Sequence, residues 1–126
     1  MKVPALALQA PFASLILNGA KTLESRFHTV LADEAGGVVA LYAAARDWPD
    51  CSSWTKCLLD AGFSPQQIGE LTEERHGRGV FVGLATVGVT SKVPECQCSF
   101  LEHACLLPST ELEGKYVSEI RDVRWF

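Results

Sequence analysis

The chain has 126 residues, 48% of them hydrophobic and 21% charged, and a formal charge of −4. That length carries one core, and the composition sits near the globular average, so one folded unit spanning residues 1–126 is expected and a disordered chain is not. No apolar run reaches the ~18 to 20 residues that cross a bilayer, which speaks against a membrane partner, and the acidic balance does not suit a protein that coats nucleic acid non-specifically.

The N-terminal segment is interrupted by Pro4, Gln9 and Pro11, so it reads as a strand over 5–9 followed by a helix rather than as a signal peptide. Pro11 suits the first helical turn, where its missing N–H has no partner to lose. Phe12, Leu15, Ile16 and Gly19 recur at helical spacing, and Asn18-Gly19 forms a stop because both residues tolerate a left-handed backbone. From Lys21 to Phe27 the period becomes two. Thr22, Glu24 and Arg26 then share one face of a strand, and Leu23, Ser25 and Phe27 the other.

Residues 33–37 read as a turn and 38–44 as a strand buried on both faces, left through Arg46-Asp47-Trp48-Pro49. Trp54, Cys57, Leu58 and Ala61 mark a helix ended by Gly62. Ser64-Pro65-Gln66-Gln67 opens another with a capping box, expected to run to about Arg75. After a turn at His76-Gly77-Arg78-Gly79 comes a long strand over 80–89, where Gly83 and Gly88 suggest bulges or close backbone approach. The segment after it is irregular, with a helical turn or two between Phe100 and Leu107, and Tyr116, Val117 and Ile120 announce a last strand. The order implies an α+β fold whose short strands and single long one suit a small bent sheet or barrel.

Five cysteines (Cys51, Cys57, Cys96, Cys98 and Cys105) at irregular spacing do not make a disulfide framework, which suggests an intracellular setting, cytoplasm or nucleus. Cys96-x-Cys98 with His103-x-Cys105 offers four zinc-type ligands, but the spacing departs from structural zinc sites, so no metal or cofactor is expected.

Lys21, Thr22, Glu24 and Arg26 admit two readings. They form a solvated strand face with Glu24 and Arg26 neutralising each other, or they line a cleft in which the cations meet phosphate or a base edge. Arg46 and Trp48 pose the same choice: a loop where Asp47 pairs with Arg46 and Trp48 plugs the core, or a phosphate contact beside a stacking surface. Arg78 on its glycine-flanked turn and Arg124 beside Trp125 share the ambiguity. Whether Lys21, Arg26, Arg46, Arg78, Arg121 and Arg124 converge is the question the sequence leaves to the fold.

The run LALQAPFASLILNGAKTLESRF resembles the opening of an ASCH domain, with its proline-aromatic turn, helix and G-x-K-T-x-E-x-R pattern. With RDW at 46–48, GRG at 77–79 and RW at 124–125, the whole chain is similar to the vertebrate EOLA group of ASCH proteins. The resemblance implies a PUA-like β-barrel with flanking helices and a cleft for single-stranded RNA or a nucleoside. Lys21, Thr22, Glu24, Arg26, Arg46, Trp48, Arg78 and Arg124 would line it, with Pro11 and Phe12 shaping a wall. Ala10 stands where relatives carry glutamine. Relatives also continue past the RW pair, so a barrel lacking its last strand is expected, with an open edge that favours a dimer or a destabilised monomer.

Two further functions follow from the same resemblance. Some bacterial ASCH proteins are amidohydrolases acting on N4-acetylcytidine, which makes Lys21, Thr22 and Glu24 candidate catalytic residues, with Glu102 a loose third match. The other is a protein-interaction adaptor that keeps the fold without the ligand.

Overall fold

The computed structural model describes residues 3–29, 31–95 and 98–126. Strand β1 (Ala5–Ala10) leads into helix α1 (Phe12–Leu17), all six of whose residues are buried. Gly19, at φ +82°, turns the chain, and Ala20 and Lys21 donate backbone N–H groups to Leu15 O at 2.9 and 3.0 Å. The expected Asn-Gly stop therefore satisfies the helix end and delivers Lys21 to β2 (Leu23–Arg26). A 3₁₀ turn (Ala32–Glu34) precedes β3 (Val38–Asp47).

Helix α2 (Cys51–Asp60) starts at Asp50, whose carboxylate accepts the Ser52 N–H at 3.1 Å. Helix α3 (Pro65–Leu71) carries the expected capping box: the Ser64 N–H donates to Gln67 Oε1 at 2.8 Å and the Gln67 N–H to Ser64 Oγ at 3.1 Å. It ends four residues short of Arg75. The Thr72 hydroxyl donates back to Ile68 O at 2.9 Å, and Glu73 and Glu74 fall outside the helix. The long strand β4 (Val80–Lys92) is followed by α4 (Ser99–Cys105), α5 (Ser109–Leu112) and β5 (Tyr116–Trp125).

The five strands make one mixed sheet in the order β1-β3-β4-β5-β2, parallel between β1 and β3 and antiparallel elsewhere. The sheet curls into an incomplete half-barrel around Leu15, Ile16, Leu41, Leu58, Val87 and Leu112. Gly83 and Gly88 permit close approach on β4: a methyl group added at Gly83 would lie 2.5 Å from Arg124 O, and one at Gly88 2.8 Å from Glu119. The ladders slip near both glycines, as expected for bulges.

Two expectations are corrected. β3 is not buried on both faces: Val39 and Leu41 enter the core whereas Val38 is 46% exposed, because the curled sheet wraps a single core on its concave side. The open edge expected of an incomplete barrel is present, but it does not lie at the last strand of the chain. β5 lies inside, between β4 and β2, and the free edges are β1 and β2. The curl brings those edges within one side chain of each other, since Arg26 Nη2 on β2 donates to Ala7 O on β1 at 2.9 Å.

Candidate functional site

The gap between the two edges is a cleft of about 500 Å³. Leu8 and Gln9 of β1, Phe12 of α1, Glu24, Ser25 and Arg26 of β2, and the flanking Lys21, Phe27, His28, Trp48, Leu107 and Lys115 line it. Each arrives for a local reason. The helix stop at Asn18-Gly19 fixes Lys21, β2 presents Glu24 and Arg26, and Trp48 continues the β3 ladder by donating its N–H to Ala10 O at 2.8 Å.

Lys21 is among the most buried side chains of the protein, at 2% exposure. Its ammonium donates to Cys105 O, lies 3.6 Å from Glu24 Oε1 and rests over the Phe12 ring at 4.9 Å from the centroid. Glu24, also buried, accepts from both Nε and Nη2 of Arg26 on Oε2 at 3.0 Å. One carboxylate thus serves two cations, an arrangement that holds buried charge only because its partners are also hydrogen-bonded. The Cys105 thiol is pushed up to about 11 by burial, which keeps it neutral beside this cluster.

A third cation completes the lining. Lys115, the residue before β5, is 8% exposed and stands over the Phe27 ring at 5.1 Å and the Trp48 ring at 5.7 Å. Burial lowers its pKa, opposed mainly by Glu111 and Glu24. No local pattern marks it: an isolated lysine after Gly114 reads as a turn residue. The antiparallel pairing that sets Arg26 opposite Tyr116 is what carries it into the cleft. Ser25 was also missed, because strict alternation assigns it to the face opposite Glu24. In this four-residue edge strand both Glu24 and Ser25 are buried.

The remaining expected residues lie elsewhere. Thr22 is exposed and does not line the cleft; its backbone N–H donates to Ala104 O at 3.0 Å and its carbonyl accepts from Ile120 at 2.9 Å. Arg46 and Arg124 are exposed and outside it. Arg78 is held by Asp47 at 2.8 Å, by Glu74 at 2.8 Å and by Ala45 O at 3.2 Å, so Asp47 pairs with Arg78 rather than with Arg46. These bonds raise the Arg78 pKa, the one to Asp47 most. Trp125 is fixed by donation of its indole N–H to Asn18 Oδ1 at 3.0 Å and flanked by the Arg75 guanidinium at 4.8 Å. Of the RDW, GRG and RW elements, only Trp48 lines the cleft; Asp47, Arg78 and Trp125 are held by contacts elsewhere, and Arg46 and Arg124 are exposed. Trp48 itself meets Phe12 edge-on at 5.1 Å, and its ring is shared with Lys115.

Of the cysteine-rich stretch, Cys96 lies outside the described residues; among those described, no three metal-ligating side chains converge. No described helix is long and apolar enough to cross a membrane. Compared with models of known protein families, the chain matches none.

Proposed function

We propose that the protein is an ASCH-type module of PUA-like fold whose cleft holds a nucleotide, free or within single-stranded RNA. The observation that carries this reading is the charge of the cleft. In a chain of net charge −4, three cations (Lys21, Arg26 and Lys115) and one carboxylate (Glu24) line a single opening. Taking ammonium groups out of water is costly without partners, and a polyanionic ligand supplies them. Aromatic walls from Phe12, Phe27 and Trp48 suit an extruded base better than a duplex, since single-stranded nucleic acid presents its base faces and edges to such surfaces.

Fluorescence titration with short single-stranded RNAs at two salt concentrations tests the reading. Binding should weaken with salt with a log–log slope of about −0.7 per phosphate contact, and Arg26→Ala should remove most of it. Absence of binding at low salt would leave a protein-interaction adaptor as the working description.

A hydrolytic reading has one supporting observation, the buried Lys21–Glu24 pair at 3.6 Å. A carboxylate beside an amine can serve as a general base for water. Thr22, exposed and outside the cleft, takes no part in such chemistry, and the only hydroxyl of β2 lining the cleft is that of Ser25. Release of cytidine from N4-acetylcytidine, lost in Glu24→Gln, would establish it; no turnover would remove it.

A further inference from the structure

Not all of the polar groups in the cleft are matched. Lys21 and Arg26 share Glu24, and each also donates to a backbone carbonyl. Lys115 differs: its ammonium forms no hydrogen bond and no ion pair among the described residues, and although most of the side chain is buried, Nζ itself is still reached by solvent at the cleft. Ser25, equally buried, has an unpartnered Oγ, and the buried indole N–H of Trp48 has none either. All three residues line the same cleft.

Buried polar groups in folded proteins are almost always hydrogen-bonded, and each one left over calls for an explanation. The chemistry of these three agrees. An ammonium offers up to three donors and no acceptor, an indole N–H one donor, and a hydroxyl can donate. A neutral ligand rich in donors would leave them unsatisfied, whereas an oxyanion, with several acceptor oxygens and a negative charge, satisfies all of them.

We propose that Lys115, together with Ser25 and Trp48, forms an oxyanion subsite at the β5 side of the cleft, which takes the phosphate or carboxylate group of the ligand. The inference rests on the reading of the cleft as a ligand site and specifies which part of a ligand goes where: a terminal anionic group meets Lys115, which has no counter-ion, and the Lys21–Glu24–Arg26 cluster, still net positive, meets the rest of the ligand, further phosphates included. The charged groups around the ammonium fit this role. Glu111 and Glu24 act on it favourably and Lys21 unfavourably, but none comes close enough to form an ion pair. Burial holds its pKa down in the free protein, and a bound oxyanion raises it again, so ligand binding takes up a proton where the free amine is partly neutral.

Calorimetric titrations of the whole chain with uridine 5′-monophosphate, uridine, inorganic phosphate and acetate separate the cases. The monophosphate should bind more tightly than uridine, and Lys115→Met should weaken it about 10- to 100-fold, the range for hydrogen bonds to a charged group, while leaving uridine unchanged. Lys115→Arg should retain part of the affinity, and Arg46→Met, which removes an exposed charge outside the cleft, should retain all of it. Inorganic phosphate against acetate tells which oxyanion the subsite favours. If uridine and its monophosphate bind equally, or Lys115→Met leaves monophosphate affinity intact, the subsite is overturned and the nucleotide reading survives. Lys115-dependent binding of inorganic phosphate or acetate without binding of uridine or RNA sustains the subsite and removes the nucleotide reading. If no probe binds, both fall. Lys115→Met conserves the shape of the side chain, and its melting curve shows that the loss is not one of folding.

Discussion

Arg26 and Arg78 each hold carboxylate oxygen at 3.0 Å or less and each reach a backbone carbonyl on a neighbouring strand, yet they belong to regions of opposite character. Around Arg78 two carboxylates, Asp47 and Glu74, more than neutralise one guanidinium, and Asp47 is mostly exposed. Around Arg26 one buried carboxylate serves two cations, with a third cation, Lys115, in the same cleft. The first region is complete without a ligand. The second carries a surplus of donors and positive charge. What separates a structural clamp from a candidate site is here the balance of charge and the burial of its members, and not the presence of an arginine in a recognisable motif.

Substitutions that remove one charge from each region are the sharpest way to break that comparison. Glu24→Ala leaves Lys21 and Arg26 without their shared counter-ion in a buried setting and should cost about 3–5 kcal/mol in urea denaturation; a loss as small as that of a surface residue would mean the cluster is not closed off from water. Lys21→Met should cost less, about 1–3 kcal/mol, because Cys105 O loses a buried donor while Glu24 keeps Arg26.

Lys115→Met should act in the opposite direction. Replacing an ammonium that has no ion-pair partner among the described residues, and whose charge is disfavoured by burial of the side chain, is expected to stabilise the free protein slightly, by less than either substitution above costs. The pH dependence has a definite sign. With the folded-state pKa of Lys115 held below its ordinary 10.5, the unfolded chain binds more protons between the two values, so stability rises with pH across that window. Cys105 opposes this only above pH 9.0, where the unfolded thiol loses its proton before the folded one does near 11. Thermal unfolding compared between wild type and Lys115→Met as the pH rises toward 10.5 should therefore show the wild type gaining on the variant, with the cysteine contributions common to both. Arg78→Ala should give the smallest effect, a melting temperature close to wild type and unchanged ligand binding, because its ion pairs are solvent-screened. A loss of ligand affinity there would move the site to the other region.

The elements were legible where local chemistry decides them. Asn18-Gly19, the Ser64–Gln67 box and the glycines of β4 all act through their own backbone, and each does in the fold what its spacing implies. The candidate site was half legible. Lys21, Glu24 and Arg26 follow directly from a helix stop and a strand, whereas Lys115 reaches them through the β2–β5 ladder, a pairing between segments about ninety residues apart that no local pattern encodes. Strict alternation also misplaced Ser25, because a four-residue edge strand beside an open cleft can bury adjacent residues. Arg46, Arg78 and Arg124 looked equivalent to Arg26 in one dimension. Their exposure, and the carboxylates that hold Arg78, exist only in three.

The central claim is that the cleft between β1 and β2 is where this protein binds its ligand, and amide NMR of the isotope-labelled chain titrated with a short single-stranded RNA tests it most directly. The account predicts shifts that saturate and concentrate at Lys21, Glu24–His28, Trp48 and Lys115. Saturating shifts centred instead on Arg46, Arg78 and Arg124, with the cleft residues unmoved, would contradict it.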